Sequence, residues 1–331
     1  MMKSVKINLA LQGGGAHGAF TWGVLDRLLE ETWLSVEGLS GASAGAMNAL
    51  MFAEGWRLNG REGARDKLAE FWMAIARNDK SKLLSGSWEH SATKWWLNTM
   101  RYVSPYDVNI LDLNPLRDLL IKLVDFESLQ QSVPFKLFIA ATEVNSGKLK
   151  IFRESELAVE HMLASACLPT IHRAVEIEGQ HYWDGGFSAN PAIFPLVYDC
   201  DADDVVIVLL QPLNRDELPV TAEAIAARVT EMSFQSTFMR EMRAIAMIKS
   251  LVEDKRIVLG SVERRIKGLR THIVQDEVLL AGMDRYSAFD TRASFLVCLK
   301  QAGRESASAW LQQYQQKLGV EATCDINALF A

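Results

Sequence analysis

The chain of 331 residues is poor in cysteine. Its four, Cys167, Cys200, Cys298 and Cys324, stand far apart and form no CxxC pair. That spacing argues against a disulfide framework or a zinc site and fits a reducing compartment. Long apolar runs are missing too: nothing approaches the ~20 residues of a membrane span, so membrane contact is expected to be peripheral at most. Near the start, Lys3 and Lys6 precede a stretch of apolar residues shorter than the roughly 7–15 of a secretory signal, and a cytoplasmic protein is expected. Positive charge is in deficit, with 35 Lys and Arg against 41 Asp and Glu, a net charge of −6. Nucleic acid is therefore not expected as a partner. Internal repeats, low-complexity tracts and flexible linkers are also lacking.

What is there reads as an α/β chain. Val5 to Leu11 has the character of a buried strand, Gly18 to Glu31 of a helix, Val36 to Gly41 of a second strand, and Ala44 to Gly55 of a second helix. That order opens a mainly parallel sheet covered on both faces. Between Trp56 and Pro134 helical stretches dominate and tryptophans gather at Trp72, Trp88, Trp95 and Trp96. One helix there should begin with Asn114 as its cap and Pro115 at its first position. Phe135 to Thr142, "KLKIFR" and "DDVVIVLLQP" return to strand character, and a hairpin is expected around Glu178-Gly179. From Thr221 to Lys255 a long helix carries Ile225, Val229, Met232, Phe238, Met242, Ile245 and Ile248, read as one core-facing stripe. "THIVQ" reads as a further strand and Arg292 to Leu318 as terminal helices.

Three patterns carry chemistry. The loop "QGGGAHG" after the first strand spells G-x-G-x-x-G with Gly13, Gly15 and Gly18. A dinucleotide turn would need an acidic residue at the end of the second strand, but Glu37 lies near its beginning and Ser43 holds the end. The second pattern is "GASAG", a G-x-S-x-G at a strand-to-helix junction. Gly41 and Gly45 let the chain fold back sharply and expose Ser43 at the tip, where the helix N-terminus offers N–H groups to an oxyanion. If the two strands are neighbours, Gly13, Gly14 and Gly15 can aim N–H groups at a carbonyl under attack by Ser43. The third is "DGG", with Asp184 before Gly185 and Gly186. In a low dielectric Asp184 can take the serine proton directly.

Together these patterns resemble the patatin-like phospholipase family over most of Ile7 to Pro195. "ASACLP" at Ala164 to Pro169 and "SANP" at Ser188 to Pro191 are similar to the segments that flank the family's aspartate. The resemblance implies a three-layer α/β/α fold and a Ser–Asp dyad. It makes Ser43 the nucleophile and Asp184 the base, has Gly13, Gly14 and Gly15 form the oxyanion loop, and needs no metal or other cofactor. Two positions depart from the family pattern: His17 stands where Arg or Lys is usual, and His172 where an aromatic is common.

The six histidines offer a Ser–His–Asp alternative, with His17 beside the loop and His272 in the chain order of α/β-hydrolases. The dyad is preferred, because in those enzymes the elbow follows several strands and here it follows the second. Cys167 is read as a small buried apolar residue rather than a nucleophile. The expected organisation is a catalytic domain over 5–212, with 56–134 as a helical insertion and candidate cap over the acyl pocket, and a mainly helical region over 213–331 packed on the core. The expected function is a serine acyl hydrolase on lipid esters, with Ala44 contributing to the oxyanion hole. An acyltransferase, a thioesterase or a regulatory protein without turnover are the alternatives. The expected partner is a lipid or other acyl ester, with peripheral membrane contact and a homodimer left open.

Overall fold

Strands in the centre of this protein send apolar side chains alternately to two sides. The computed structural model describes residues 4–77, 104–108, 114–215, 217–253, 260–283 and 285–331. Among these residues one sheet contains β1 (Val5–Leu11), β2 (Leu34–Gly41), β3 (Lys136–Glu143), β4 (Leu149–Arg153), β5 (Val175–Ile177), β6 (Gln180–Asp184), β7 (Asp204–Val208) and β8 (Arg270–Val274). Strands β3, β2, β1, β7 and β8 lie side by side and parallel. Strands β4 and β6 run antiparallel to β3, and β5 to β6. The β5–β6 turn has positive φ at both Glu178 and Gly179, the twist that two-residue hairpins favour.

The longer helices are α1 (Gly18–Leu28), α2 (Ala44–Arg77), α3 (Pro115–Leu123), α4 (Ala222–Glu253) and α5 (Ala293–Tyr314). On one side of the sheet, Ile7, Leu9, Leu11, Val206 and Val208 meet α1, α2, α3 and α5. On the other, Ala10, Val205 and Ile207 meet Phe238, Met242 and Ile245 of α4. Two cores on two sides of one sheet make the three-layer α/β/α arrangement. No helix of the described residues is long and apolar enough to cross a membrane.

The described parts of 56–134 pack into the core, and 78–103 and 109–113 of the expected cap lie outside the described residues. Helix α2 runs on past Gly55, changes direction at Asn59 and Gly60, and buries Leu68, Phe71 and Trp72. The Trp72 indole donates to Asn48 Oδ1 at 2.9 Å. Helix α3, with the Asn114 side chain accepting from Leu116 N as its cap, buries Leu119, Leu120 and Leu123. Trp88, Trp95 and Trp96 lie outside the described residues. One expectation needs correction: the apolar residues of α4 do not form one stripe. Phe238, Met242 and Ile245 are buried, while Ile225, Val229 and Met232 are exposed. At 3.6 residues per turn the two sets fall on opposite sides of the helix.

The pairing of β3 positions the site. Strand β4 pairs with Phe138 to Thr142 along one edge. Strands β2 and β6 must share the other edge, since β2 pairs with Lys136 to Ile139 and β6 with Ala141 to Glu143. They run in opposite directions and meet end to end: Gly41 is opposite Ile139, and Asp184 is opposite Ala141. Two residues of strand, about 7 Å, separate these positions.

Candidate active site

The chain leaves β2 through a tight elbow. Ser43 has φ 53, a left-handed conformation found in only one other described non-glycine residue. Such a conformation costs of order 1–3 kcal/mol and persists only where its surroundings impose it. The Ser43 N–H supplies part of that restraint, donating to Ser165 O at 3.1 Å and lying 3.2 Å from Ser165 Oγ. Close packing supplies the rest: a Cβ on Gly45 would stand 2.0 Å from the Leu11 carbonyl oxygen. The elbow therefore lies hard against the end of β1, and Ala44, as the first residue of α2, has no i−4 carbonyl for its N–H within the helix.

Across the gap, Asp184 ends β6 and is 1% exposed. Its N–H donates to Cys167 O at 2.8 Å, and its carbonyl accepts from Thr142 Oγ1 at 2.8 Å. Its carboxylate Oδ1 accepts from Gly186 N at 2.7 Å. Its Oδ2 is buried with no hydrogen-bond partner. The Ser43 hydroxyl is close enough to weigh on the acidity of the carboxyl, yet stops short of a formed hydrogen bond. Burial pushes the carboxyl up to about 7, against the Gly186 N–H and the Ser43 hydroxyl, which pull it down. A carboxylate of this acidity beside a serine is suited to accept the serine's proton near neutral pH.

The glycine loop packs on the same elbow. A Cβ on Gly13 would meet Ala42 O at 2.6 Å and Ser43 Cβ at 2.9 Å. The Gly13 N–H itself donates to Asn190 Oδ1 at 2.7 Å, and Gly13 is buried. That narrows the donors expected from the sequence: Gly14 and Gly15 remain, both reached by solvent, at the start of a 3₁₀ turn over Gly15–His17. Asn190 was not expected to act here, and neither was Gln12, whose Oε1 accepts from Leu210 N at 2.6 Å and Gln211 N at 3.0 Å. The two amides tie the loop to the turn after Asp184 and to the chain beyond β7.

Comparison with known proteins bears on this geometry. The model of the family "Patatin-like phospholipase" matches residues 9–197, more than half of the chain and all three patterns. The chain belongs to this family. The family's description as phospholipase-like places the chain among lipid hydrolases in general terms. No curated protein sequence matches it. Among solved structures, VipD from Legionella pneumophila is similar with a TM-score of 0.46 and 14% identity, over 94% of this chain and 67% of that one. The type III effector protein ExoU is similar with a TM-score of 0.34 and 15% identity, over 92% of this chain and 53% of that one.

The two histidines of this patatin-like chain that were weighed for a triad have other partners. His17 Nε2 is 2.7 Å from Ser287 Oγ, and its ring meets Phe295 edge-on at 6.4 Å. His272 is buried on β8, with Nε2 3.0 Å from Asp204 Oδ1 and Nδ1 3.1 Å from Thr323 Oγ1. Asp204 pairs with Ile7, near the start of β1, whereas the glycine loop follows its end. His272 itself lies opposite Val206 in mid-sheet, with its ring turned to Asp204 near the amino end and away from the elbow that follows β2. Glu37 accepts from Asp201 N and Ala202 N at 2.8 and 2.9 Å, which occupies the carboxylate that a ribose would have required. The Cys167 thiol is buried and donates to Arg173 O at 3.0 Å. A cavity of about 860 Å³, lined in part by Lys6, Trp33, Asp203 and Arg270, lies at the amino end of the sheet, away from Ser43. Among the described residues no group of three or more His, Cys, Asp or Glu side chains is placed to hold a metal ion.

Proposed function

We propose that the chain is a serine acyl hydrolase of lipid esters that works through a Ser43–Asp184 dyad. Ser43 Oγ attacks the ester carbonyl while its proton passes to Asp184. The tetrahedral oxyanion is held by N–H groups of Gly14, Gly15 and Ala44. Collapse of the intermediate leaves an acyl group on Ser43 and returns the proton to the departing alcohol. Water then gives a proton to Asp184, attacks the acyl carbon and releases the fatty acid, with the proton restored to Ser43.

One observation carries this reading above the rest. A buried carboxylate has one oxygen committed to Gly186 and the other without a hydrogen-bond partner, and a serine held at φ 53 faces it. The histidines that a triad would need are bound to Ser287 in one case and to Asp204 in the other.

The test is product analysis on mixed phospholipids, lysophospholipids and neutral esters. Wild type should release free fatty acid, and Ser43→Ala should release none above background. Equal release by the two proteins would remove Ser43 from the reaction. Transfer of the acyl group to added alcohols in place of water would move the assignment to an acyltransferase.

A further inference from the structure

The outward face of α4 has no use in the reaction just described. Ile225, Val229, Met232, Met247 and Leu251 are exposed by 47%, 59%, 53%, 55% and 60%. At 3.6 residues per turn they form one stripe, opposite the buried Phe238, Met242 and Ile245. Two exposed cations, Arg240 and Arg243, stand on that stripe between Met232 and Met247. Among the described residues neither has an ion-pair partner, and acidic side chains are kept off the stripe. Between Ala224 and Val252 the sequence has only two acids, Glu231 and Glu241. Glu231 is paired with Arg215 and Arg228. Glu241 is turned inward, accepting from Ile193 N at 2.9 Å and from Phe194 N. In a chain with a net charge of −6, this face combines apolar side chains with unopposed positive charge.

The inner side of the same helix touches the candidate site. The Phe234 ring is 4.5 Å from that of Phe187, three residues after Asp184. A Cβ on Gly186 would stand 2.4 Å from Phe234 Cδ1. The outward stripe is therefore about one helix diameter, 10–12 Å, from the turn that holds the aspartate. Farther along, the helix packs on the sheet through Phe238 and Met242, which gives the stripe a rigid backing.

We propose that the outward face of α4 docks on an anionic lipid surface, its apolar side chains entering the headgroup region and Arg240 and Arg243 meeting lipid phosphates. An apolar stripe that carries cations and no free anions is the chemistry of a helix lying in a membrane interface. Charge complementarity selects an anionic bilayer over a second copy of this acidic chain, which would bring the same two arginines against each other. The proposal draws its consequence from the lipid-ester reading, since docking would bring the catalytic turn to its substrate, but the surface can be tested without that reading.

The experiment is co-sedimentation of the full chain with vesicles of phosphatidylcholine, alone or mixed with phosphatidylglycerol, at low and high salt. Wild type should bind the mixed vesicles better, and salt should weaken that binding. Each arginine near such a surface is worth about fivefold in affinity, so Arg240→Gln/Arg243→Gln should bind roughly 30-fold more weakly. Val229→Ser/Met232→Ser should weaken binding to both vesicle types. All four positions are solvent-facing, and hydrolysis of a soluble short-chain ester should be unchanged in both double variants. Equal vesicle binding by wild type and variants, or no binding by wild type, overturns the proposal. So does a wild-type dimer that the variants dissolve, because the stripe would then be covered by a second copy. If no ester is cleaved by any of the proteins, the hydrolase reading fails while the sedimentation result still decides the docking surface.

Discussion

Two buried aspartates of this protein have acidities shifted in opposite directions. Asp184 has been pushed up to about 7 by burial, with few groups to oppose it. Burial also acts on Asp204, but hydrogen bonds from His272, Arg270 and the Gly319 N–H outweigh it and hold the carboxyl down at about 2. Only the first lies where a carboxyl can exchange its proton near neutrality. With Asp184 as the base, kcat/KM for a soluble ester should rise with pH up to about 7 and then level off. A profile flat from pH 5 to pH 8 would contradict the role given to burial. Asp184→Asn should lower kcat by about 10²–10⁴-fold. His272→Ala should keep wild-type kcat while lowering thermal stability, because it strips a partner from buried Asp204 far from the site. Ser43 and Asp184 were legible in the sequence because each sits in a local turn pattern, G-x-S-x-G and D-G-G, that strains or frees the backbone around it. Asn190 and Ser165 were not, because they act on residues 177 and 122 positions away. Their hydrogen bonds exist only once β6 has met β2.

At the scale of elements, the candidate site depends on β2 and β6 ending against each other along one edge of β3. The strands themselves were visible as apolar runs and the parallel opening as their alternation with helices. Their end-to-end meeting was not, since strand order and register are properties of the sheet. Helix α4 was misread for a related reason. Periodicity shows that apolar residues recur, but not which side of the helix meets the sheet: Phe238, Met242 and Ile245 do, while Ile225, Val229 and Met232 lie on the opposite side. The loop, elbow and aspartate turn should respond as one unit. Gly13→Ala would place a methyl group against Ala42 O and Ser43 Cβ. It should slow reaction of Ser43 with a fluorophosphonate by at least tenfold in a chain that still folds, a few ångströms being enough to misplace the donors. Unchanged labelling would mean that the loop does not set the elbow's geometry.

For the whole molecule, the same groups set how stability changes with pH. Asp184 and Glu241 are both raised to about 7 by burial, so the folded chain keeps protons that the unfolded chain has lost between about pH 4 and 7. Stability should therefore fall as pH rises through that window. Asp204 works in the other direction: its contribution is present above the usual carboxylate range and is lost as pH falls toward 2. The thermal midpoint should thus decline between pH 5 and pH 8, and Asp184→Asn should flatten the decline and raise the midpoint at pH 8 by roughly 2–5 °C. A variant more stable and less active than wild type is what a base kept in an unfavourable environment predicts. The central claim is that Ser43 is activated by Asp184 without a histidine, and intact-mass analysis after brief exposure to a fluorophosphonate tests it most directly. Wild type, His17→Ala and His272→Ala should each gain one adduct at Ser43 at similar rates, and Asp184→Asn should react at least about 10²-fold more slowly. Rapid labelling of Asp184→Asn, or loss of labelling in either histidine variant with its fold intact, would contradict the account.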